Sequence, residues 1–124
     1  MLNKLRDEIH ENAKAHGWWE TDREFGSLIA LMHSELSEAL EEHRNGFMPK
    51  YIYYSGKNST GLLYTSTTGT EICKKPEGIP IELADVIIRI LDCCGRFGID
   101  IEEAIKIKHE YNKTRPYRHG GKKV

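Results

Sequence analysis

Four carboxylates stand at spacings that could do chemistry together: Glu35 and Glu38 in His33-Ser-Glu-Leu-Ser-Glu, and Glu82 and Asp85 in Glu82-Leu-Ala-Asp. Residues three apart on a helix share a face, so each pair would aim in one direction. On a wheel of roughly 100° per residue, Leu28, Ile29, Met32, Leu36, Ala39 and Leu40 form an apolar face. Glu35, Glu38 and Glu42 follow one edge of that face, with Leu31 among them, and Glu41 lies further round. The second pair falls on a more apolar helix. There Leu83, Val86, Ile87, Ile90, Leu91, Cys94 and Phe97 cover a wide arc, and Glu82, Asp85, Arg89, Asp92 and Arg96 form its one polar stripe. A helix this apolar belongs at the centre of a bundle or at a subunit interface.

Laid side by side, the two helices would gather Glu35, Glu38, Glu82 and Asp85 into one cluster. Carboxylates so close repel strongly in a partly dry site, and protonation or divalent cations are the two ways to relieve them. An all-oxygen donor set suits Mg²⁺, with Mn²⁺ as a substitute, rather than Zn²⁺. The chemistry this arrangement could support is phosphoryl transfer, in which a cation and a positioned water do most of the work. The alternative is a solvated, salt-bridged surface, because Asp85 with Arg89 and Asp92 with Arg96 are both i,i+4 pairs.

The elements that must position these groups can be read from periodicity and caps. Leu2, Leu5, Ile9 and Ala13 predict an amphipathic helix over 2–16, ended by Gly17. Thr21-Asp-Arg-Glu24 fits a capping box for a second helix from about 22 to 45, which stops at Asn45-Gly46. Residues 47–78 are aromatic and β-branched with glycine breaks, which predicts a small hairpin or three-stranded flap. A third helix should start near Pro80 and reach Phe97, and Asp100 should cap a fourth that runs to about Lys113.

At 124 residues, with 39% apolar and 30% charged side chains, the chain fits a single folded domain over 1–124 with a β-rich insert at 47–78 and a basic tail at 114–124. No apolar run reaches the ~20 residues of a membrane span, and no signal core is visible, so a cytoplasmic location is expected. Three cysteines without Cys-x-x-Cys spacing argue against a disulfide framework. The net charge of −1 hides an asymmetry: residues 1–105 hold 11 basic and 18 acidic side chains, whereas 106–124 hold seven basic and one acidic. An acidic body with a basic tail suits a polyphosphate, which needs metal at one end and direct cation contacts at the other. A basic tail touching nucleic acid non-specifically is the less favoured reading of the same asymmetry, so nucleic acid is not the expected partner.

Three segments carry a family resemblance. His33-Ser-Glu-Leu-Ser-Glu-Ala-Leu-Glu and Glu82-Leu-Ala-Asp-Val-Ile look like the paired Glu-x-x-Glu and Glu-x-x-Asp motifs of MazG-like nucleoside triphosphate pyrophosphohydrolases. Lys108-His-Glu-Tyr-Asn112, followed by Lys-Thr-Arg-Pro-Tyr-Arg-His-Gly, agrees as a third piece in the family's order. The similarity covers residues 21–45 and 80–119. It implies an all-α, four-helix-bundle-like fold assembled as a homodimer or homotetramer, to which this sequence would add a small β-hairpin insert between the second and third main helices. It also implies Mg²⁺-dependent hydrolysis of ribo- or deoxyribonucleoside triphosphates to a monophosphate and pyrophosphate. Carried over residue by residue, Glu35, Glu38, Glu82 and Asp85 would be metal ligands, with Glu35 or Glu38 accepting the proton of the attacking water. Lys108 and Asn112 would contact phosphate or sugar, and Arg115 and Arg118 would grip the phosphate tail. The 43 residues between Glu38 and Glu82 exceed what compact members need, which leaves substrate choice open.

Trp18 and Trp19 could stack on a nucleobase, or one of them could cover the bundle's open end. Two rival functions share this sequence: a phosphoribosyl-ATP pyrophosphatase-like enzyme, and a non-catalytic helical module that binds nucleic acid or regulates a partner.

Overall fold

The computed structural model describes residues 1–123. In chain order, α1 (Leu2–Ala15) and α2 (Phe25–Arg44) precede three strands, β1 (Tyr53–Lys57), β2 (Leu63–Ser66) and β3 (Lys75–Glu77). They are followed by α3 (Ile79–Phe97), α4 (Ile101–Thr114) and the single turn α5 (Arg118–Gly121). Among the described residues no helix is long and apolar enough to cross a membrane.

The all-α expectation does not hold. The chain is mixed, with 57% helix, 10% strand and a three-stranded antiparallel sheet, rather than a helical bundle carrying a small insert. The physical reason lies in β1, which pairs on both sides. Tyr54 to Lys57 face Ser66 to Leu63 on β2, and Tyr53, Tyr54 and Ser55 face Glu77, Pro76 and Lys75 on β3, giving the order β2-β1-β3. A hairpin would have ended at the first ladder. The second ladder instead ties the end of the segment, next to α3, back to its beginning.

The helix starts show where local chemistry prevailed and where it did not. Asp100 caps α4 as its sequence suggests, its Oδ1 accepting from the Glu103 amide at 3.0 Å. The Thr21 capping box does not form. Helix α2 begins at Phe25 with Glu24 in extended geometry at the N-cap and no side-chain cap, so Thr21 stands too far upstream to accept from the first turn.

The chain divides into two compact units. One comprises Met1–Glu20 and Leu91–Val124. Its interior is built on Leu91, Cys93, Cys94 and His10, with Leu91 only 2% exposed. His10 Nδ1 lies 2.7 Å from Asp92 Oδ1, and the Trp19 indole donates to the same carboxylate at 2.9 and 3.1 Å. Gly95 makes this contact possible, because a Cβ there would stand 2.6 Å from the His10 Cβ. Helix α1 is further held by Arg6 donating to the Ile99 carbonyl at 2.7 Å, and by Asn3 donating to Asp100 at 2.8 Å.

The other unit is Thr21–Ile90, with α2, the sheet and the first three turns of α3. Leu28, Ala39, Cys73 and Ile79 are its buried apolar side chains. Half of the apolar face read from α2 stays exposed, namely Ile29, Leu36 and Leu40, as do Leu83, Ile87 and Ile88 on α3. All three cysteines are free and buried.

Candidate metal centre

The four carboxylates read from the sequence as metal ligands all belong to the second of these units. Helix α2 brings Glu35 and Glu38, one turn apart, and α3 brings Glu82 and Asp85 from its first two turns. Oxygen atoms of Glu35, Glu82 and Asp85 all lie within 4.8 Å of one another. Glu38 lines the same cavity of about 360 Å³, together with Ser34, Lys75, Pro76, Glu77 and Ile81.

The connection between β3 and α3 sets this geometry. Gly78 takes φ +114°, a left-handed value that L side chains rarely adopt, and a Cβ there would meet the Tyr51 carbonyl oxygen at 2.3 Å. Its own carbonyl accepts from the amides of Ile81 and Glu82 at 3.0 and 3.1 Å, which starts the helix. The first acid of α3 is therefore fixed directly to the last strand of the sheet.

The electrostatics follow from crowding. Burial, and then the charges of Asp85, Glu35, Glu38 and Glu77, pushes the Glu82 carboxyl up to about 7. Asp85 is raised as well, first by burial and then by Glu35, while Arg89 and Lys75 pull it back down. Arg89 sits one turn beyond Asp85 and donates from Nε to Glu35 Oε1 at 2.7 Å, joining α3 to α2. Arg89, read from the sequence as the i,i+4 partner of Asp85, thus forms its ion pair with Glu35 on the other helix.

A second group of acids adjoins the first. Glu42, Glu77 and Glu82 offer oxygens that again lie within 4.8 Å of one another, so Glu82 is common to both groups. Tyr53 donates its hydroxyl to Glu42 at 3.0 and 3.1 Å, and Ser55 donates to Glu77 at 2.8 Å. Burial, helped by the Glu42 contact, holds the Tyr53 hydroxyl up to about 12, so it stays a donor. Glu42 was visible on the wheel beside Glu35 and Glu38. Lys75 and Glu77 carried no signal beyond their place in Lys-Lys-Pro-Glu, because strand pairing between distant segments brings them here.

An all-carboxylate set with converging oxygens fits a hard divalent cation such as Mg²⁺ or Mn²⁺. No nitrogen or sulfur ligand belongs to either group, which disfavours zinc.

The cationic and aromatic residues singled out for substrate contact belong to the other unit. Lys108 and Asn112 are exposed on α4, and Lys108 Nζ lies 5.0 Å from the centre of the Tyr111 ring. Arg115, just past the helix, places its guanidinium 5.6 Å from the same ring. Arg118 opens α5 at φ 54° with its guanidinium 5.6 Å from the Tyr117 ring. Trp18 is 57% exposed, whereas Trp19 has its N–H on Asp92, its ring edge-on to His10, and Arg96 over its face at 5.1 Å.

No family model matches the chain, and neither a curated protein nor a solved structure matches it.

Proposed function

We propose that this protein is a MazG-like pyrophosphohydrolase that cleaves nucleoside triphosphates to a monophosphate and pyrophosphate with Mg²⁺. The observation that carries this reading is the convergence of the Glu35, Glu82 and Asp85 oxygens on one cavity that Glu38 also lines. Glu35, Glu38, Glu82 and Asp85 would hold the cation, which supplies charge neutralisation and Lewis acidity toward phosphate oxygens. Water attacks the α-phosphorus in line, a P–O bond forms to the water oxygen, and the bond to the β-phosphate breaks with pyrophosphate leaving. Of Glu35 and Glu38, Glu38 is the better proton acceptor, since Glu35 already accepts from Arg89. Lys108, Asn112, Arg115 and Arg118 are assigned to phosphate and sugar contact, and exposed Trp18 to the base.

The enzyme acts in this reading as a homodimer or homotetramer in the cytoplasm, with the exposed leucines and isoleucines of α2 and α3 as the surface that assembly covers. The test is pyrophosphate release from a panel of ribo- and deoxyribonucleoside triphosphates and phosphoribosyl-ATP, with Mg²⁺ and with EDTA. Metal-dependent release supports the proposal and names the substrate. Silence across the panel overturns it.

The interleaving of Lys108, Arg115 and Arg118 with Tyr111 and Tyr117 favours a second reading, a module that binds nucleic acid. That reading requires salt-sensitive polynucleotide binding with no pyrophosphate release.

A further inference from the structure

We infer that Lys75 on β3 is a substrate-contacting residue of the acidic cavity, taking the outer phosphates of a metal-held polyphosphate, so that the sheet completes the site. This inference rests on the reading above and assigns part of its substrate recognition to the inserted segment.

Five carboxylates line the cavity, and Lys75 is the only cationic side chain among the described lining residues. Its backbone is fixed: the ladder with β1 sets Lys75 opposite Ser55 and Glu77 opposite Tyr53. Strand alternation puts residues 75 and 77 on one face, with Glu77 leading through Gly78 into the ligand-bearing helix. The side chain, by contrast, is loosely held. Lys75 Nζ lies 3.4 Å from Glu77 Oε1 and is 76% exposed, a geometry in which an ion pair contributes little. Glu77 does not depend on that contact, because Ser55 already donates to the same oxygen at 2.8 Å. Lys75 can therefore leave Glu77 for a phosphate oxygen without stranding a carboxylate.

A cation at this position answers a specific problem. A triphosphate brings about four negative charges to a cavity that is already acidic. Carboxylates with divalent cations can take the end that reacts, but the remaining phosphates need a positive group that carries no carboxylate of its own. A lysine on a fixed strand, with a stem of four methylenes, supplies a mobile point charge there.

The test uses Mn²⁺ and inorganic tripolyphosphate on the full chain, so that it does not depend on turnover. Mn²⁺ binding is followed by electron paramagnetic resonance, and tripolyphosphate binding to the Mn²⁺-loaded protein by calorimetry. Lys75→Gln is expected to weaken tripolyphosphate binding about tenfold, the loss of one charge-assisted contact, while Mn²⁺ alone binds at least as tightly as before. Lys75→Arg should recover most of the loss, and Lys57→Gln on β1 should match the unaltered chain. Equal tripolyphosphate binding by Lys75→Gln and the unaltered chain overturns the inference and leaves the proposed function standing. An unaltered chain that holds no Mn²⁺ overturns both.

Discussion

With its carboxyl pushed up to about 7 by burial and by its acidic neighbours, Glu82 is held neutral by the fold over a range where an ordinary glutamate is charged. The folded-state value lies above the unfolded one. The fold therefore gains stability from the bound proton at low pH and loses it as pH rises from the ordinary carboxylate range through about 7. In EDTA, the urea midpoint should fall between pH 5 and pH 8, and Glu82→Gln should flatten that slope. A steep slope retained in Glu82→Gln would remove Glu82 as its source. Mg²⁺ binding should release protons at pH 6 and few at pH 8, as a change of buffer in calorimetry would reveal. Glu82→Ala and Asp85→Ala should each abolish pyrophosphate release with the far-ultraviolet circular dichroism unchanged, and full activity in both would refute the metal assignment. Trp19→Phe keeps a flat aromatic face but loses the N–H on Asp92. It should cost about 1.5 kcal/mol of stability, as for a hydrogen bond to a charged group, with substrate KM unmoved; a raised KM at full stability would instead place Trp19 on the base.

At the level of elements, the link between β3 and α3 is the joint on which the cavity depends. Gly78→Ala places a side chain at φ +114° against the Tyr51 carbonyl. The strain should lower stability by at least about 2 kcal/mol and displace Glu82 from its partners, so Mn²⁺ affinity should drop with it. An Ala variant of native stability and native Mn²⁺ affinity would mean that the turn tolerates another path. The same joint marks the boundary of what sequence could disclose. Glu35 and Glu38 on one edge of α2, and Glu82 and Asp85 on the polar stripe of α3, follow from helical periodicity alone. The Asp100 cap is equally local. Arg89 reaching Glu35, Ser55 holding Glu77 and Lys75 entering the cavity all depend on contacts between segments 20 or more residues apart. Periodicity has no access to those. The failed capping box at Thr21 and the choice of a three-stranded sheet over a hairpin have the same origin, since pairing and packing decide them.

Across the whole chain, the imbalance lies in apolar surface. Ile87 is 53% exposed, and Leu36, Leu40, Leu83 and Ile88 are each more than one-third exposed. A periodic apolar face left in water is an interaction surface. Light scattering should therefore find assemblies of two or four chains, and Ile87→Glu should shift them toward single chains. Single chains at every concentration for the unaltered protein would remove the oligomer from the proposed function.

The three buried thiols give each unit its own clock. Cys73 lies in the unit that holds the acidic cavity, and Cys93 and Cys94 lie in the other. A buried thiol reacts with an alkylating agent only when its surroundings open, so labelling rates read local opening free energies. Burial also holds the Cys93 and Cys94 thiols above their ordinary range, so the closed state keeps them protonated as well as covered. A ligand that binds the folded state alone suppresses opening in proportion to its occupancy. Mg²⁺ should then slow the labelling of Cys73 selectively, and mass spectrometry of the labelled peptides would show whether the two halves of the chain breathe as one body or as two.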